Sequence, residues 1–201
     1  DIFTGYVFIE ICTIASCALL SAKSTGRALI ASARYMVFAL VGSGLFLIGV
    51  IYTYSITGHL LFPQLHDTIA ALWAEGTYQF SMTVAIGLMT AGLAIKSGLF
   101  PFHFWMPDTY GRATPASSGI LSGVVSKAYI LLLIKIIYRA VGIEVFAASG
   151  IQSVLLLFGI ADDRAAQKKS LAWIRTQSRE RNCVACIANH DFDVKPGAIT
   201  L

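Results

Sequence analysis

An apolar run of bilayer length ends on a lysine. Residues 80–100 read FSMTVAIGLMTAGLAIKSGLF, and Lys96 is the only charged side chain among them. A helix rises 1.5 Å per residue, so about 20 apolar residues cross a hydrocarbon core of roughly 30 Å. A lysine at that depth costs roughly 2.5–3.5 kcal/mol on insertion scales. Near a helix end it snorkels to the headgroups; otherwise it faces a protein interior or a wet cavity and handles an ion or proton. The next residues, Pro101-Phe-His-Phe-Trp-Met-Pro-Asp108, interrupt the helix and add aromatic rings and a second ionisable group.

The rest of the chain has the same character. Hydrophobic residues make up 56% of it and charged residues 13%, against about 25% charged in a soluble domain; the mean hydropathy is +0.71. Five apolar segments are expected as helices: Ile2–Ala22, Tyr35–Ile56, Phe80–Phe100, Ala116–Tyr138 and Val145–Ala161. The fold class is therefore all-α, a polytopic transmembrane bundle of about five helices over 1–161. One helix is expected to break near Lys96–Pro101, between Lys96 and Trp105. Residues 162–201 form a polar, atypical tail. The chain opens on Asp1 and enters an apolar run within two residues, which reads as a fragment.

Loop charges give an orientation. Lys23, Arg27 and Arg34 lie between the first two segments, whereas 57–79 carries Asp67 and Glu75 and no Lys or Arg. Positive-inside counting places the loop 23–34 and the tail in the cytoplasm and the N-terminus outside. The net charge of +4 is spread over the loops, so it speaks to topology and not to nucleic acid. Within 57–79, Leu65, Ile69, Leu72 and Trp73 recur at helical spacing, as in a short amphipathic helix lying in the interface. His59 and His66 read as solvated loop residues. Cys12 and Cys17 fall on different faces of the first helix and make no disulfide framework.

Three ionisable residues sit mid-helix: Glu10 in the first segment, Lys96 in the third and Lys127 in the fourth. Each leaves a charge to be satisfied in low dielectric, and Glu10 and Lys96 are expected to face each other. Low dielectric disfavours a charged lysine and a nearby carboxylate favours it, so such a row suits proton transfer. Gly98 and Pro101 mark the helix break, which is tolerated where it lines a cavity or is buried in protein. The small-residue run Thr114–Gly123 permits close helix packing. Lys135 and Arg139 read as reaching the interface; His103, Asp108 and Lys135 remain accessory candidates. Cys183, Cys186 and His190 lack a second Cys/His pair and do not make a zinc site. No redox-cofactor motif, nucleotide loop or hydrolytic constellation is present, so no cofactor, metal or catalytic centre is expected.

The stretch Lys96-Ser-Gly-Leu-Phe-Pro-Phe-His-Phe-Trp-Met-Pro-Asp108, followed by Ala113-Thr-Pro-Ala-Ser-Ser-Gly-Ile-Leu-Ser-Gly-Val-Val-Ser-Lys127, resembles the antiporter-like subunits of complex I, of multisubunit Na+/H+ antiporters and of membrane-bound hydrogenases. That family shows K-x4-P-x-H-x-W-L-P-D-A beside a broken helix, then small residues leading to another lysine. The resemblance covers roughly 1–160, with Gln167–Ala172 similar to a cytoplasmic junction, and the Trp-Met-Pro-Asp-Thr-Tyr variant looks closer to the antiporter and hydrogenase branches. It implies that Glu10, Lys96 and Lys127 are a first half-channel, a Glu–Lys pair and a connecting lysine. The partners implied are other membrane subunits of a multisubunit complex, the lipid bilayer and H+ or Na+. The setting implied is a bacterial or archaeal cytoplasmic membrane. The tail departs from the family, as a frameshift or truncation would produce. Two other readings stand beside ion translocation: an inactive membrane scaffold, and a secondary transporter of a small solute with the broken helix at an anion site.

Overall fold

The computed structural model describes residues 1–23, 25–161 and 168. The tail with Cys183, Cys186 and His190, and all of the 167–172 junction except Lys168, lie outside the described residues. Helices follow in the order α1 Ile2–Ser21, α2 Gly26–Thr57, α3 Phe62–Ala74 and α4 Gln79–Ser97, then a 3-10 turn Phe102–Trp105 and α5 Met106–Arg112. A long helix, 115–141, comes next; it consists of α6 Pro115–Ile120, a π-turn Leu121–Val125, α7 Ser126–Ile136 and a second π-turn Ile137–Val141. It is followed by α8 Ile143–Ala148 and α9 Ile151–Ala161. Among the described residues there is no strand, and the fold is an all-α bundle. The chain divides into compact units at Leu156/Leu157; the features below belong to the first.

Four stretches are long and apolar enough to cross a membrane: Ile2–Ser21, Gly26–Thr57, Gln79–Arg112 and Pro115–Val141. The fifth expected segment is not a single span. Gly150, at φ +75°, separates α8 from the short apolar helix α9. Helix α2 begins nine residues before the expected Tyr35, so the connection from α1 shrinks to 22–25. Its added turns, GRALIASAR, are rich in Ala, Leu and Arg, good helix formers; Thr25 caps them by accepting the Ala28 N–H.

Helix α4 is the hub. In its apolar window 56% of residues are buried, against 22–39% in the other three spans. It crosses α2 along the buried face Ala39, Gly42, Phe46, Gly49 and Thr53, and the two backbones meet at glycine. A Cβ on Gly92 would lie 2.5 Å from the Gly42 carbonyl oxygen and 2.7 Å from the Phe46 nitrogen, and one on Gly49 would lie 2.9 Å from the Ala85 carbonyl oxygen. Small residues at a crossing let helices approach this closely where dispersion contacts carry the association.

The long run containing Lys96 stops where α4 reaches Gly98. Gly98 adopts φ +70°, its N–H bonds to the Ile95 carbonyl and the Leu99 N–H to the Ala94 carbonyl, a Schellman termination. A side chain there would strike Met106. Pro101 follows and cannot supply a helical donor. The Trp105 indole N–H returns across the break to the Ile95 carbonyl at 3.2 Å.

Helix α3 has the amphipathic spacing expected, with Leu65 and Ile69 buried. They join the same core as Ala140 and Val141 of the second π-turn. His66 is not a solvated loop residue: its imidazole lies against Gly142, with Nδ1 buried and unpartnered. His59 is exposed.

The crossing yields a prediction. Gly92→Val in the detergent-solubilised subunit should lower the melting temperature, because forced overpacking costs typically about 1–3 kcal/mol. Gly44→Ala, where a Cβ meets nothing within 4 Å, should leave the melting temperature unchanged or slightly raised. Equal effects would contradict the close crossing.

Candidate functional site

Lys96 sits one turn before the helix break on the most buried helix, and it is 3% exposed. Its stem lies against the α2 backbone, where a Cβ on Gly42 would come within 3.0 Å of Lys96 Cγ. The ammonium is thereby directed toward α1. There Nζ donates to Thr13 Oγ1 at 2.6 Å and lies 3.6 Å from Glu10 Oε1. Thr13 donates its own hydroxyl proton to the Ile9 carbonyl at 2.8 Å, which leaves its oxygen lone pairs for the lysine. The Tyr129 ring supplies a third neighbour, its centroid 5.7 Å from Nζ.

The pair is asymmetric. The Lys96 side chain is 1% exposed and that of Glu10 26%, so the lysine is locked while the carboxylate keeps access to its surroundings. Glu10 Oε1 itself accepts no hydrogen bond of good geometry. Tyr129, 2% exposed, is in range of Thr13 and Tyr35, yet its hydroxyl also makes no bond of good geometry. The centre thus holds an ammonium, a carboxylate and unsatisfied polar oxygens in an apolar bundle. It offers a protonatable base, a movable counter-charge and sockets for water.

The other residues singled out from sequence are placed differently. Lys127 is exposed, so it is not part of a buried row within the described residues. Two helical positions separate it from Tyr129, a rotation of about 200° at 3.6 residues per turn; Tyr129 faces Lys96, and Lys127 shares an exposed face with Leu131, Ile134 and Tyr138. Asp108 is held between Arg34 Nη1 at 3.1 Å and Arg112 Nε at 2.7 Å, a surface clamp tying α5 to the start of α2. His103 stacks on Phe100, ring centroids 5.5 Å apart, with Nδ1 buried and unpartnered. Lys135 is exposed, its Nζ 5.3 Å from the Phe62 ring. No hydrogen bond or ion pair joins His103, Asp108 or Lys135 to Lys96 or Glu10 among the described residues. Nor does any group of three or more His, Cys, Asp and Glu there present a metal site.

Sequence reasoning alone does not pick out Thr13 or Tyr129. Thr13 carries a signal: it stands three residues after Glu10, on the same helix face. Tyr129 carries none beyond its position in an apolar run.

The family model for NADH:quinone oxidoreductase/Mrp antiporter, TM, matches residues 1–173. The chain belongs to that family. It is 32% identical over 138 residues to the NADH-quinone oxidoreductase subunit N of Desulforudis audaxviator, covering 69% of this chain and 26% of that protein. It is equally 32% identical over 136 residues to an Na(+)/H(+) antiporter subunit of Bacillus subtilis, covering 68% and 27%. Among solved structures it is similar to a chain of the membrane-bound sulfane sulfur reductase, an archaeal respiratory membrane complex. That likeness has a TM-score of 0.60 and 34% identity, over 68% of this chain and 27% of that one. The chain thus spans about a quarter of the length of these relatives. With family membership and the four apolar spans, it is an integral membrane protein. Complex I and antiporter relatives share the same identity, which gives the sequence preference for the antiporter and hydrogenase branches no support.

The two ionic clusters separate experimentally. Thr13→Val removes a buried acceptor from a charged donor, an interaction worth about 1.5–3 kcal/mol, and should lower the melting temperature of the solubilised subunit clearly. Asp108→Asn breaks only partly exposed pairs and should change stability by less than about 1 kcal/mol. The reverse order would overturn this account of the site.

Proposed function

We propose that this chain carries part of an ion path through a membrane, with protons as the transported species, in a subunit of a redox-driven or antiporter-type complex. The Glu10–Lys96 pair is the ionisable centre of that path. The supporting observation is the nearly inaccessible Lys96 ammonium, 2.6 Å from Thr13 Oγ1 and 3.6 Å from the partly exposed Glu10 carboxylate. A purely structural lysine would gain little from such a site, because a buried ion pair is weak as a source of stability. A carboxylate that keeps its freedom beside a locked lysine can change the lysine's preference for its proton by moving a few ångströms. The relatives' names, which include a quinone oxidoreductase subunit and cation/proton antiporter subunits, fit this reading.

In this proposal Lys127 is the next station. It is reached through water and lies on the face of α7 that further segments of a longer chain would cover. His103 and Lys135 are accessory at most, and Asp108 serves as a clamp. The end carrying Lys23, Arg27 and Arg34 faces the cytoplasm, and the partners are the other membrane subunits of the complex.

The test uses the complete subunit assembled with its partners in vesicles. Lys96→Ala and Glu10→Ala should each reduce proton uptake per assembled complex more than about tenfold, the loss expected when a transfer group is removed. Lys127→Ala should do the same and Lys135→Ala should matter less. Uptake is normalised to assembled complex, because each single change leaves the other member of the pair uncompensated and costs stability. Normal uptake by Lys96→Ala would leave the scaffold reading in its place.

A further inference from the structure

We propose that Tyr129 is a positioning residue for the Lys96 ammonium, holding it through the face of its ring as the Glu10 carboxylate moves. This rests on the proposed ion path and names what keeps its lysine in place. Lys96 Nζ lies over the Tyr129 ring, 5.7 Å from the centroid. That is inside the roughly 6 Å over which a ring quadrupole attracts a cation, and the attraction is strongest where water is excluded. Both partners meet that condition: Tyr129 is 2% exposed and the Lys96 side chain 1%.

The ring, and not the hydroxyl, makes the contact. The hydroxyl forms no hydrogen bond of good geometry. Thr13 gives its own proton to the Ile9 carbonyl and accepts from Lys96. The neighbours of Nζ also differ in freedom. Glu10 carries the negative charge and is partly exposed, whereas Thr13 and Tyr129 are buried and held by packing. When the carboxylate moves off, these two neutral groups remain. A ring face attracts an ammonium and takes up no proton. It can therefore hold the charged lysine without competing for the proton that the lysine releases.

Packing alone does not call for this side chain. Tyr129 joins Ile9, Met89 and Leu93 in the core, where an aliphatic residue would leave no hydroxyl to satisfy. The π-turn Leu121–Val125 directly precedes α7, and such turns are frequent at functional sites. Beyond it Tyr129 is buried and Lys127 exposed. Lys135 and Phe62 repeat the pairing at 5.3 Å, but there the lysine is exposed, so water solvates the ammonium and the ring counts for less.

The test removes the ring and then its electron density. In the complete subunit assembled with its partners in vesicles, Tyr129→Leu should lower proton uptake per assembled complex at least about tenfold. Tyr129→Phe should restore most of it. Phenylalanine bearing one, two or three ring fluorines, incorporated at the same position, keeps the ring and drains negative charge from its face. Uptake should fall stepwise along that series. The melting temperature of the assembled subunit should fall stepwise as well, and the trend should vanish in a Lys96→Met background, a readout that needs no transport. A flat melting series, or one unchanged by Lys96→Met, would overturn the contact and leave Tyr129 as packing. A sloped melting series with flat uptake would overturn its role in the ion path. Lys96→Ala measured in parallel separates the two proposals. If it abolishes uptake while the fluorinated series is flat, only the role of the ring fails. If it too leaves uptake normal, the ion path itself fails.

Discussion

A buried ammonium must be satisfied where it lies, and in this bundle that requirement fixes the surrounding helices. Lys96 is brought to its place by the glycine crossing of α2 and α4, which presses the α2 backbone against its stem. It is stopped there by the Gly98 termination, which ends the helix before the lysine could slide toward an interface. At this position α1 supplies Thr13 and Glu10, and α7 supplies the Tyr129 ring. The charge and the small residues are thus two parts of one device. Glycine gives close approach, and close approach sets the lysine stem against α2 with its ammonium at Thr13 and Glu10 of α1.

Much of this is legible in the chain. The four long spans follow from apolar length alone, and the pairing of Glu10 with Lys96 follows from two charges that each need an opposite in low dielectric. The break after Lys96 follows from Gly98 and Pro101. What sequence does not carry is rotation about helix axes. Lys127 lies in the same stretch as Tyr129, and hydropathy does not say which of the two faces inward. The π-turn Leu121–Val125 just before them adds a residue to the turn and resets the phase of the helix face. The small-residue run there gives no sign of it. Thr13 and Tyr129 escape sequence reasoning for a related cause. A hydroxyl in an apolar helix commonly bonds its own backbone, and only the presence of an ammonium beside it makes it something more.

The outer parts of the fold show how local chemistry decides boundaries. Basic residues at the start of α2 suggest a loop, yet GRALIASAR continues the helix because Ala, Leu and Arg favour it. Asp108 suggests a second ionisable group for the site, but Arg34 and Arg112 hold it at the surface. His66 suggests a solvated loop, but α3 folds onto the second π-turn and presses the ring against Gly142. For Asp108 and His66, a contact with a segment distant in the chain settles what composition leaves open.

The central claim is that Glu10 and Lys96 form one electrostatic unit. A double-mutant cycle on the melting temperature of the assembled subunit tests it most directly, using Glu10→Gln, Lys96→Met and the two together. Removing one partner leaves a charge unpaired, whereas removing both leaves none. The account predicts that the double variant is more stable than the single losses added together, with a coupling of at least about 0.5 kcal/mol. Losses that simply add would mean that the two groups do not sense each other, and the pair at 3.6 Å would then not be the centre of this structure.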